Sequence, residues 1–125
     1  MTSQVSDIAG VRVLALSTGG PLIRTDREAA DRVGEALSHR ANLIVLPVER
    51  LGDDFFRLST RIAGEIIQKL VNYRLRVAIV GDIARYIADS EALAAFVRES
   101  NRGVTVWFAA DFAELTARLC KTEQA

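Results

Sequence analysis

Two short apolar runs, Leu43-Ile44-Val45-Leu46 and Val77-Ala78-Ile79-Val80, flank one stretch of helical periodicity. No other feature constrains the chain as much. Pro47 closes the first run and Gly81-Asp82 stops the second. Between them, residues 59–73 carry two apolar rows at four-residue spacing, Ile62-Ile66-Leu70 and Ala63-Ile67-Val71. Two β-rich runs separated by about a dozen residues of helical period are the pattern of a βαβ unit. Such a unit has parallel strands and a crossover that is right-handed almost without exception. Runs that are apolar at successive positions, not at alternate ones, need cover on both faces.

The pattern extends in both directions. Residues 11–16 read as a strand with Val11, Val13 and Ala15 on one face. Thr25 and Glu28 have capping-box spacing and open a helix with the stripe Ala29, Ala30, Val33, Ala36 and Leu37. After Asp82, residues 83–87 make a helical turn, and Ser90 caps a third helix that turns Leu93, Ala94, Phe96 and Val97 inward. Gly103 suits a left-handed helix exit, residues 104–108 a fourth strand, and Asp111 the cap of a last helix carrying Phe112, Leu115 and Leu119. The expected fold is one α/β domain over residues 1–125, with a four-strand, mostly parallel sheet in βαβαβαβα order. Residues 1–8 either fray or add a short edge strand through a turn at Gly10, and residues 121–125 fray. Gly34 and Gly64 are expected to let their helices pack closely on the sheet. If all the helices lie on one face, the N-terminal segment or a second subunit must cover the other, so a homodimer is expected.

Composition excludes several functions. Sixteen basic residues balance sixteen acidic ones, so no net field favours nucleic acid. One cysteine rules out an internal disulfide, and one histidine rules out a multi-histidine zinc site. No apolar run is long enough to span a membrane, and the first twenty residues lack a leader-like pattern, which implies a soluble cytoplasmic protein. No cofactor or metal is implied.

The candidate sites lie in the loops. Ser17-Thr18-Gly19-Gly20 follows a strand but lacks the spaced glycines and the lysine of a phosphate loop, so it reads as a turn. Asp53, Asp54 and Asp82 have the chemistry of hard-cation ligands, yet fit a solvated loop and a turn cap equally. Ser59 has no histidine near it, His39 falls at a helix end, and nothing around Cys120 lowers its pKa, so no catalytic set emerges. Phe55 and Phe56, with Asp54 and Asp82, either line a pocket or anchor a loop. Ser59 and Thr60, between Arg57 and Arg61, stand at the start of the central helix. There a hydroxyl either caps the free N–H groups or marks a phosphorylation or partner-docking site.

The run Leu46-Pro47-Val48-Glu49-Arg50-Leu51, with Asp54-Phe55-Phe56-Arg57-Leu58-Ser59-Thr60 and Ala63-Gly64-Glu65-Ile66, resembles the bacterial family known as domain of unknown function 4180. So do Gln68-Lys69-Leu70-Val71-Asn72-Tyr73-Arg74-Leu75-Arg76, Val80-Gly81-Asp82 and Phe96-Val97-Arg98-Glu99-Ser100-Asn101-Arg102-Gly103. That resemblance implies no established activity. A more distant similarity is to STAS domains, the anti-sigma-factor antagonist class. It implies a βα superhelix with a serine or threonine at the start of the helix after residues 43–46, where Ser59 and Thr60 stand. The antagonists' Asp-Ser-Ser-Gly-like motif is replaced here by Leu58-Ser59-Thr60-Arg61. The expected function is a non-catalytic regulatory or protein-interaction module. The alternative is a small-molecule or nucleotide-binding domain using the loops after residues 11–16 and 43–46.

Overall fold

The structure, a computed structural model, describes residues 3–123. In chain order its elements are β1 (Gln4–Ile8), β2 (Val11–Ala15), α1 (Asp26–Ser38), β3 (Leu43–Pro47), α2 (Ile62–Asn72), β4 (Arg76–Val80), α3 (Ala84–Ala88), α4 (Glu91–Arg102), β5 (Val106–Ala109) and α5 (Phe112–Glu123). The strands form one mixed five-stranded sheet in the order β1-β2-β3-β4-β5. β2 to β5 are parallel, and β1 is antiparallel to β2.

The fifth strand corrects the expected count of four. Ala9 (φ 51°) and Gly10 (φ 83°) form a two-residue turn between the paired Ile8 and Val11. Positive φ at both central residues gives a hairpin turn whose twist matches the strands, so residues 4–8 fold back as an edge strand. At the other end α5 continues to Glu123, and residues 124–125 lie outside the described residues.

Each face of the sheet has its own core. Leu14, Ile44, Leu46, Val77, Ile79 and Phe108 face α1, α2 and the α3–α4 segment, and are buried with Val33, Ile66, Leu70 and Leu93. Val11, Val13, Leu43, Val45, Ala78 and Trp107 face the other way, where Leu115 and Leu119 of α5 cover them. Consecutive right-handed crossovers put the intervening helices on one side. The terminal helix is not a crossover and folds over the other. The exposed second face that motivated a homodimer is therefore closed within the chain.

The expected caps form. Glu28 N–H donates to Thr25 Oγ1 (3.1 Å), Leu93 N–H to Ser90 Oγ (3.1 Å) and Glu114 N–H to Asp111 Oδ1 (2.8 Å). Several details differ: β5 begins at Val106, not at residue 104, and Phe112 is exposed. Leu37 is exposed, although Ala36 beside it in the last turn of α1 is fully buried. Gly103 leaves α4 in an extended conformation (φ −90°, ψ −163°), where its carbonyl accepts from Trp107 Nε1 at 2.7 Å. Gly34 and Gly64 face open space rather than the sheet, with nothing within 4 Å of an added Cβ. Their only energetic signature is then the poor helix propensity of glycine. Gly34→Ala and Gly64→Ala are each expected to stabilise the domain by about 0.5–1 kcal/mol, read as a raised urea midpoint at unchanged slope.

Candidate functional site

Pro47 ends β3, and the chain then passes over the C-terminal end of the sheet in three 3-10 turns, Val48–Arg50, Asp53–Phe56 and Leu58–Thr60. Gly52 permits the bend between the first two with φ 76°. Phe55 and Phe56 are both buried, with their rings edge to face at 5.0 Å. Phe56 also stacks on Tyr86 of α3, with centroids 4.4 Å apart and planes within 14°. The Tyr86 hydroxyl donates to Asp53 Oδ1 and accepts from Arg85 Nη2, which lies 3.3 Å from the same carboxylate oxygen. The guanidinium of Arg85 covers the ring face of Tyr86 at 4.6 Å. Loop and helix are thus clasped together by a stack and a three-membered polar network.

Burial, followed by the bond to Asp53, pushes the Tyr86 phenol above its ordinary pKa, while the bond to Tyr86 raises that of Arg85. At neutral pH the phenol is therefore a donor, not a base. A cleft of about 610 Å³ opens beside the clasp, lined by Asp53, Phe56, Arg57, Ser59, Arg85 and Tyr86, among others. A second depression of about 660 Å³ runs along α2 and is lined by Arg61, Ala63, Gly64, Gln68 and Phe96. Leu58 lines both and forms the ridge between them.

The two central hydroxyls have different roles. Thr60 Oγ1 lies 2.8 Å from both Asp54 O and Arg57 O, to which it offers its proton, and accepts from Ile62 N–H at 3.3 Å. It ties the two preceding turns to the start of α2. Arg61, not Ser59 or Thr60, occupies the N-cap position, in a left-handed conformation (φ 65°) and without a side-chain cap bond. Ser59 is exposed and lines the cleft. The expectation that both residues begin the helix is corrected accordingly: they form a separate turn just ahead of it. Thr60→Ala is expected to lose about 0.5–1.5 kcal/mol in chemical denaturation, the net worth of the lost side-chain hydrogen bonding. Thr60→Asp should lose at least as much, because a carboxylate has no proton for the two carbonyls, whereas Thr60→Ser should be near neutral.

Of the predicted residues, the structure brings Phe56, Arg57 and Ser59 into one cleft and sets Arg61 across the Leu58 ridge. Phe55 and Asp54 line a smaller hollow of about 450 Å³ on the other side of the loop. Asp82 stands apart, where its carboxylate accepts from Ala84 N–H at 2.9 Å as a turn residue. Tyr86 and Arg85 were not picked out from the sequence. Their partner Asp53 lies 33 and 32 residues away, and no local pattern reports such a contact.

Arg50 was also missed. It is buried, donating from Nε to Pro21 O (2.6 Å) and from Nη1 to Ser17 O (2.9 Å). Burial, and then the nearby charge of Arg32, lower its pKa. The side chain thereby pins the Ser17–Pro21 turn, which reads structurally as a turn held from below and not as an open phosphate loop.

No group of three or more His, Cys, Asp or Glu among the described residues is placed to hold a metal ion. No helix among them is long and apolar enough to cross a membrane. His39 caps the exposed C-terminal end of α1 and Cys120 is half-buried in α5, so neither joins the cleft. Residues 8–119 match the family described as Domain of unknown function (DUF4180). No curated protein and no solved structure gives a significant match.

Proposed function

This chain belongs to the Domain of unknown function (DUF4180) family, and on that premise we propose that it is a STAS-like regulatory or protein-interaction module acting by binding, without catalysis of its own. The observation that carries this reading is the stretch Leu58–Arg61, in which a half-buried Leu58 lines a depression on either side and Ser59, Thr60 and Arg61 are exposed. A protein segment laid across Leu58 reaches both depressions at once, which a single small ligand does not. Arg57 and Arg61 flank the exposed Ser59 and favour an acidic group on the partner, or a phosphate on Ser59 itself. We place this activity in the cytoplasm of a bacterium.

The test is partner capture from the native host with Ser59→Ala and Ser59→Asp. Because Ser59 caps nothing, both variants should match the parent in stability. A docking or switch role predicts that the two differ in capture. Equal capture by both at parental strength would remove Ser59 from the function. The alternative of a small-molecule or nucleotide-binding domain has one supporting observation: the cleft beside Phe56 and Tyr86 is of ligand-binding size. Of the two loops expected to serve it, the first is pinned by Arg50, which leaves the loop after β3. A rise in melting temperature with a nucleotide, lost in Ser59→Trp, would favour that reading.

A further inference from the structure

We propose that the domain associates head to tail with copies of itself, the Tyr73–Arg74 corner of one copy docking at the C-terminal ends of β4 and β5 of the next. The proposal does not rest on the role of the Leu58–Arg61 ridge.

The four parallel strands start at one end of the sheet, and α1, α2 and α4, running back against them, finish there. Three large apolar side chains are exposed at that end, Leu37 (52%), Tyr73 (50%) and Val104 (57%). Arg40 and Arg74 lie beside the first two, both exposed and without an ion pair among the described residues. Helix C-termini favour cations, which accounts for arginines standing there but not for the uncovered apolar surface between them.

The opposite end offers the complement. Gly81 N–H donates to Ala109 O at 2.9 Å and holds the loops after β4 and β5 together. Between them lies an apolar depression of about 250 Å³, lined by Ile83, Ile87, Val97 and Phe108 and rimmed by Asp82. Asp111 follows directly on that rim and is exposed, as is Phe112. A projecting aromatic with an arginine next to it thus has, on the same molecule, an apolar hollow with a carboxylate next to it. Because the two patches lie at opposite ends, the contact is heterologous and does not close into a two-fold dimer. Charge complementarity selects a second copy as the occupant.

Sedimentation velocity over a dilution series of the full chain tests this. At low salt the mean sedimentation coefficient should rise with concentration without levelling at a dimer, and high salt should weaken the association. Tyr73→Ser removes the anchor from an exposed site and should weaken association on the order of tenfold. Arg74→Asp, at a left-handed position (φ 62°) that aspartate tolerates, and Asp82→Lys should each abolish it. In an equimolar mixture of those two variants both kinds of contact between unlike copies are charge-matched, so open-ended association should return. Circular dichroism checks that each variant is folded. A monomer at low salt across the series, a closed dimer indifferent to salt, or association unchanged by Tyr73→Ser would each overturn the proposal.

Discussion

Gly81→Ala is expected to destabilise the domain by about 2–5 kcal/mol, from two separable causes. Gly81 has φ 144°, a conformation that residues with a Cβ rarely adopt. An added Cβ would also stand 2.6 Å from Val48 Cγ2 and 2.8 Å from Val48 Cβ, far inside van der Waals contact. The position cannot relax easily, because Gly81 N–H is held by Ala109 O. Urea unfolding of Gly81→Ala, and of Gly81→Ala with Val48→Ala, divides the effect. The second substitution removes the Cγ2 contact and should recover part of the loss, leaving the 2.8 Å contact with the Cβ of residue 48 together with about 1–3 kcal/mol of backbone strain. A Gly81→Ala variant as stable as the parent would contradict this account of the exit from β4.

Arg50→Ala should be the second large loss, about 2–4 kcal/mol, because it leaves the carbonyls of Ser17 and Pro21 without donors and opens a cavity. The effect should be localised. The bond from Ile23 N–H to Arg50 O (2.7 Å) joins the same two segments, so hydrogen exchange should speed up at Ile23 well before it does in β3. Gly20→Ala reports on the same contact from the other side: its Cβ would lie 2.6 Å from Arg50 Nη1, displacing the guanidinium. If Arg50→Ala left both stability and exchange at Ile23 unchanged, the side chain would not be the pin described here.

The central βαβ unit was legible because its signals are local and mutually consistent. Leu43–Pro47 and Arg76–Val80 are apolar at successive positions, and α2 keeps its two rows between them. The caps at Thr25, Ser90 and Asp111 are legible for the same reason, since a capping oxygen and the N–H that donates to it lie three residues apart. β1 is not decided by its sequence, because Gln4–Ile8 offers only Val5 and Ile8 as half-buried apolar positions on an edge. The destination of α5 was missed because the handedness rule governs crossovers and not a helix that follows the last strand. Gly34 and Gly64 show that a glycine on a helix does not by itself indicate close packing. Ser59, Arg57 and Phe56 could be named from their place after β3, whereas the clasp of Asp53, Arg85 and Tyr86 depends on contacts more than thirty residues apart. Arg50 was hidden for another reason: a charged residue in a loop reads as exposed until the fold shows what surrounds it.

Site-specific photocrosslinking in the native host tests the binding role most directly. A photoreactive amino acid is placed at Ser59, on the ridge between the two depressions, and in a separate variant at Ser6, on the exposed edge of β1. The account predicts a discrete adduct with a second protein from Ser59, reduced by Arg61→Glu and not seen from Ser6. No adduct from Ser59, or the same adducts from both positions, would contradict a docking role for this face.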